Sequence, residues 1–167
     1  MAFENVPSGS SKQSPFVRSA KRSLLFESAF DPLAFYLRCA FMHPGSGFVD
    51  MVLRSARTVS PNKLFQVLIC ETGRLAGDAD IESAFRRNHY FDETTLCAVL
   101  ASLTICQWNG VPGDLAVAQH ANFMYMRERP VFFYWEPASS AWQVKVWWRD
   151  NLPRVAGTRV IVPWSSF

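Results

Sequence analysis

The stretch VFFYWEPASSAWQVKVWW, residues 131–148, decides the fold that we predict from this sequence. Its two runs of aromatic and β-branched residues, Val131 to Glu136 and Trp142 to Trp148, are typical of strands. They flank PASSA, five small or turn-forming residues, so the pattern predicts a β-hairpin with a short loop. Another strand is predicted from Thr158 to Pro163. The C-terminal part of the chain is therefore expected to form an antiparallel sheet.

The N-terminal half carries the signals of helices instead. Asp31-Pro32 and Ser60-Pro61 each place a capping side chain before a proline, the arrangement that starts helices. Apolar residues then recur at helical spacing up to Glu71, which predicts a helix after Pro61. Asp92 is expected to cap a longer helix over residues 93–107, whose wide apolar face is formed by Leu96, Val99, Leu100, Leu103 and Cys106. This order predicts an α+β fold with N-terminal helices packed on a C-terminal antiparallel sheet.

Length and charge divide the chain into a tail and one domain. The chain has 167 residues, of which 49% are hydrophobic, enough to form the core of a single domain over residues 24–167. Residues 1–23 are Ser-rich and carry four basic side chains against Glu4, so we assign them to a flexible basic tail. The tail accounts for the formal net charge of +3. That excess is too small to predict nucleic-acid binding.

The sequence pattern excludes several classes of protein. No segment of the sequence has the roughly 18 consecutive apolar residues of a membrane-spanning helix, and the N-terminus lacks the apolar core of a secretory signal peptide. The four cysteines and three histidines show no ligand spacing, so we predict neither a metal nor another cofactor. We expect a soluble, cytoplasmic protein with free thiols.

Cys97, His120 and Glu136 form the first candidate catalytic set. Cys97 falls in the first turns of the helix predicted after Asp92, where unpaired backbone N–H groups lower the pKa of a thiol. Nucleophile, base and orienting carboxylate follow one another in the chain order of papain-like thiol hydrolases, which the set resembles in that order. In the alternative interpretation Cys97, inside LCAVLASL, is a small buried residue of the core.

The hairpin carries the second candidate set, Glu136, Gln143 and Lys145. Because strand side chains alternate, Gln143 and Lys145 lie on one face of the second strand, beside the end of the first. This layout resembles the PD-(D/E)xK nucleases, in which an acidic residue and a (Glu/Gln)-x-Lys pair hold a divalent metal at the scissile phosphate. Gln143 stands where those nucleases usually have Glu. The alternative is that these residues form the solvated face of a half-buried strand.

Aromatic residues of the predicted sheet are more numerous than one face can bury. The run FFYW places rings on both faces, so either both faces are covered or one is a contact surface. We predict that Trp135, Trp147, Trp148 and Arg149 bind a partner, because aromatic and Arg side chains are enriched at the cores of interfaces. Single-stranded nucleic acid stacked on these rings is a further option.

Two functional hypotheses follow from these features. The first is a non-enzymatic binding or assembly protein that uses the aromatic, mildly basic C-terminal sheet to contact a macromolecule, in the first place another protein or a second copy of itself. The second is a hydrolase, either a Cys-His thiol hydrolase or a PD-(D/E)xK-like nuclease. The sequence leaves open whether the protein is an enzyme.

Overall fold

The computed structural model describes residues 14–86, 88–108, 115, 121–127, 129–148 and 154–164, without the side chains of residues 106–108. The strands in these ranges are β1 (Phe16–Phe26), β2 (Met42–Pro44), β3 (Lys63–Thr72), β4 (Asn122–Tyr125), β5 (Pro130–Glu136), β6 (Ala141–Val146) and β7 (Arg159–Pro163). The helices are α1 (Pro32–Arg38), α2 (Ser46–Phe48), which continues as a π-helical turn over Val49–Leu53, α3 (Asp78–Phe85) and α4 (Glu93–Trp108).

The strands join into one mixed sheet in the order β1-β3-β7-β4-β5-β6-β2. Most neighbours are antiparallel, but β4 pairs with β7 and β2 pairs with β6 in parallel. The predicted fold class is therefore wrong. The sheet is not purely antiparallel, because it contains the two parallel pairs. It is also not confined to the C-terminal part, because β1, β2 and β3 come from the N-terminal half of the chain, where no strand was predicted.

The largest error is the helix predicted after Pro61, which is strand β3. Its side chains alternate between two buried environments: Val67 and Ile69 belong to one core, and Cys70 belongs to the other. A strand that is covered on both faces has apolar residues at consecutive positions, so the alternation of apolar and polar residues that marks a strand is missing. Such a run can then match the spacing of apolar residues on a helix by chance.

Strand β1 begins inside the segment that was assigned to the tail. Residues 16–23 form most of this strand, which runs antiparallel to β3 with Phe26 opposite Lys63. Its alternation is easily missed because β1 is an edge strand, in which serines and basic residues share the sequence with apolar ones. Residues 1–13 lie outside the described residues.

Helices lie on both faces of the sheet. On the face that we call inner, α1, the π-helical turn and α4 pack on residues such as Phe133, Trp142 and Val144. On the opposite, outer face, Ile81 and Phe85 of α3 pack near Phe123 of β4 and neighbouring residues of β3 and β7. In the described ranges no helix is long and apolar enough to cross a membrane.

Several predicted elements are confirmed. The helix expected after Asp31-Pro32 forms as α1, with Asp31 as its N-cap, and the last predicted strand forms as β7. The helix α4 starts after Asp92, whose carboxylate accepts hydrogen bonds from the backbone N–H and the hydroxyl of Thr95, at 2.9 and 2.7 Å. Leu96 and Leu100 of this helix are fully buried. The hairpin also forms: β5 and β6 pair antiparallel from Val131 opposite Val146 to Glu136 opposite Ala141.

Candidate functional site

The outer side of the hairpin is where polar and aromatic side chains meet at the surface. Alternation along the strands sends Trp135 and Trp142 to the inner core and their neighbours outwards. Most of the outward side chains are half-exposed or exposed. We call this surface the hairpin face and define it by Phe132, Tyr134 and Glu136 of β5, Gln143 and Lys145 of β6, Trp147 just after β6, and His43 of β2.

Three aromatic rings form one part of the hairpin face. The rings of Phe132 and Tyr134 are two residues apart on β5, their planes differ by 11°, and their centroids are 6.2 Å apart. The Trp147 ring meets Phe132 edge-on at 5.4 Å. On its other side Phe132 lies near the buried ring of Phe123, at 5.9 Å, which anchors the row to the outer core. The row is therefore held in place while remaining partly accessible.

A chain of hydrogen bonds forms the polar part. The amide nitrogen Nε2 of Gln143 donates to Oε2 of Glu136 at 2.9 Å and lies 3.2 Å from Nδ1 of His43. The hydroxyl of Ser139, in the hairpin loop, donates to the same Glu136 oxygen at 2.7 Å. Strand register brings these groups together, because His43 is directly opposite Gln143 across the parallel β2–β6 pair.

The hydrogen bonds of Gln143 fix which atoms of the network remain for a ligand. Both amide hydrogens are used when Gln143 donates to Glu136 and to Nδ1 of His43, which places the ring proton of a neutral His43 on Nε2. In the described part of the chain no group bonds to Oε1 of Gln143, Oε1 of Glu136 or Nε2 of His43. This network of Glu136, Gln143 and His43 therefore presents two acceptors and one donor.

Lys145 supplies the positive charge of the hairpin face. Its Nζ lies 3.4 Å from the hydroxyl oxygen of Tyr134 and 5.7 Å from the centroid of that ring. The side chain thus lies along the aromatic row, apart from the Glu136–Gln143 hydrogen bond. With Glu136, the face has one formal positive and one formal negative charge.

Two members of the first candidate catalytic set, Cys97 and Glu136, lie apart. Cys97 is fully buried among residues of the inner core, and burial raises the pKa of its thiol far above the ordinary value. The nearby carboxylates of Glu93 and Asp92, at the start of α4, act in the same direction. Glu136 points to the outer side of the sheet, so the sheet separates it from Cys97. His120 lies outside the described residues.

The second set is brought together in part. Glu136 and Gln143 share a hydrogen bond, whereas Lys145 contacts Tyr134. A metal-dependent nuclease of this layout needs several oxygen or nitrogen ligands around its cation. Among the described residues no group of three His, Cys, Asp or Glu side chains is placed to hold a metal ion.

The predicted partner-binding residues are distributed over both sides of the sheet. Trp135 packs against the inner core and meets Trp142 edge-on at 5.7 Å, whereas Trp147 lies on the hairpin face. Trp148 is 58% exposed and lies against Gly47, where a β-carbon would be 3.1 Å from its ring. Arg149 lies outside the described residues.

His43 is the member of the hairpin face that the sequence did not indicate. It lies on a three-residue strand, too short to show alternation, and its contact with Gln143 spans 100 positions of the chain. Its neighbours Pro44 and Gly45 signal the end of a helix as readily as a short strand. No local signal in the sequence identifies it.

Comparison with known proteins gives no family for this chain. No family model, no curated protein and no solved structure matches it.

Proposed function

We propose that this is a non-catalytic binding protein whose hairpin face is the contact surface for a partner. The observation that carries the proposal is the row of partly exposed rings of Phe132, Tyr134 and Trp147, held in place by the outer core beneath Phe132. Ordered aromatic rings at a surface supply large contact area with little loss of side-chain entropy on binding.

The polar groups of the face support binding over catalysis. Glu136 accepts two hydrogen bonds, from Gln143 and Ser139, and these fix the orientation of its carboxylate. Hydrogen bonds that fix side chains before a ligand arrives are what a specific binding surface needs, because less freedom is lost on association.

The test is a comparison of three proteins on a panel of immobilised ligands. The panel contains a neutral polysaccharide, a polyanion and the protein itself, and the proteins are the wild type, Tyr134→Ala and the control Leu64→Ala. Leu64 is 51% exposed on β3, well separated from the hairpin in the strand order. We expect at least one ligand to retain the wild type and the control but not Tyr134→Ala. Equal retention of all three proteins on every ligand would refute the proposal.

A further inference from the structure

We infer that the ligand of the hairpin face is a neutral oligosaccharide built of flat pyranose units with equatorial hydroxyls. This inference rests on the proposed function and names the chemistry of the partner. It follows from three properties of the face: its balanced charge, its mixture of donors and acceptors, and the form of its aromatic row.

The charge of the face matches an uncharged ligand. Lys145 and Glu136 contribute one formal charge of each sign, and the other members are neutral when His43 is unprotonated. A surface that binds single-stranded nucleic acid combines stacking rings with a clearly positive groove along the backbone. The hairpin face has the rings without an excess of positive charge, so a polyanion would meet Glu136 with little compensation.

The polar edge of the face matches a ligand with many hydroxyl groups. A hydroxyl both donates and accepts, so it can donate to Oε1 of Gln143 or Glu136 and accept from Nε2–H of His43. The ammonium group of Lys145 supplies further donors above Tyr134. Hydrogen bonds to a charged carboxylate or ammonium group are stronger than those between neutral groups. Hydroxyl groups of a ligand would therefore bind well at Glu136 and at Lys145.

The aromatic row matches the faces of the sugar rings. A pyranose whose hydroxyls are equatorial presents axial C–H bonds on its flat faces, and these carry the partial positive charge that the face of an aromatic ring attracts. The rings of Phe132 and Tyr134 stack with their planes 11° apart, and Phe132 also stacks on Phe123, so the half-exposed Tyr134 at the end of the row is the ring that offers a face to a sugar unit. The hydroxyls at the rim of that unit then lie towards the polar edge beyond Tyr134.

Glu136 also indicates that the bound sugar is held and not cleaved. Glycoside hydrolysis generally uses two carboxyl groups on either side of the bond that breaks. Among the described residues of the hairpin face Glu136 is the one carboxylate, and Gln143 occupies the neighbouring position. The ligand therefore leaves the face unchanged.

The test is calorimetric titration of the full chain with cellohexaose, xylohexaose and chitohexaose. We expect at least one of these neutral hexasaccharides to bind the wild type and Leu64→Ala equally, with an affinity that stays the same between about 0.05 and about 0.5 M salt, because no ion pair forms. Tyr134→Ala should weaken that binding at least tenfold, whereas Tyr134→Phe should retain most of it. Gln143→Met, which keeps the side-chain volume, should weaken it as well and serves if Tyr134→Ala does not fold.

The remaining outcomes separate the inference from the proposed function. If no hexasaccharide binds but oligothymidylate binds through Tyr134 with steep salt dependence, the ligand is a nucleic acid and the inference is wrong, while the hairpin face stands as a contact surface. The same holds if sedimentation shows self-association that Tyr134→Ala abolishes. If neither sugar, oligonucleotide nor self-association depends on Tyr134, both the inference and the proposed function fail.

Discussion

Removing Asp78 should destabilise the fold more than removing its buried partner, Arg154. The Arg154 side chain is completely buried and its guanidinium contacts the Asp78 carboxylate, which is 37% exposed. The guanidinium carbon also lies 4.9 Å from the Phe123 ring centroid and 5.2 Å from that of Tyr125. Backbone bonds between Arg154 and Ala76, at 2.8 and 2.9 Å, keep this residue beside the start of α3.

The loss of unfolding free energy expected for each substitution depends on how deeply the remaining charged group is buried. Asp78→Ala leaves a guanidinium deep in the protein after the loss of a carboxylate, a change that typically costs about 3 kcal/mol or more. Arg154→Met keeps most of the packing and leaves a carboxylate that water reaches, so we expect about 1 kcal/mol, mostly from the lost contacts with the two rings. The double variant should be more stable than Asp78→Ala alone, since no buried charge remains.

Equilibrium unfolding in urea measures these three changes directly. Circular dichroism and tryptophan fluorescence should give coincident transitions, and the free energies of unfolding then complete a double-mutant cycle. The reasoning is refuted if Arg154→Met costs as much as Asp78→Ala, or if the double variant is the least stable of the three. Either result would mean that the guanidinium is stabilised mainly by groups other than this carboxylate.

Three further predictions concern the two cores and the surface. Leu100→Ala should lower the free energy of unfolding by about 2–5 kcal/mol, because Leu100 is fully buried in the inner core and its neighbours fill the cavity only in part; a loss below about 1 kcal/mol in urea unfolding would contradict this placement. Burial lowers the pKa of His89 below its ordinary value of 6.5, so the unfolded chain binds a proton more readily. The free energy of unfolding should therefore rise with pH just below 6.5; this slope should be smaller in His89→Gln and unchanged in the control Leu64→Ala, which alters no titratable group. Trp135→Ser should lower the thermal midpoint clearly, because the ring packs against the inner core, whereas Trp148→Ser, at a position 58% exposed, should lower it little; equal shifts would show that the two rings are equally buried.

The elements that were predicted from the sequence are those with a strong local signal. Asp92 caps α4 through Thr95, and the length of the apolar run after it leaves little choice but a helix. The hairpin was predicted because its two strands are adjacent in the chain and rich in β-favouring residues. Strand β3 has no such neighbour: β1 and β7, its partners on either side, are separated from it by a helical region and by most of the C-terminal half.

On the hairpin face too, the contacts within one hairpin could be predicted from the sequence, whereas the contact with a distant strand could not. Glu136, Gln143 and Lys145 were placed together from alternation along one hairpin, whereas the division of roles between them depends on contacts outside it. His43 is brought to Gln143 by backbone bonds: Gly45 donates to the carbonyl of Val144 at 2.8 Å, and Trp142 donates to that of Phe41 at 2.8 Å. The bonds of a three-residue parallel strand, formed between distant parts of the chain, thus place His43 where the amide of Gln143, already bound to Glu136, also meets its ring.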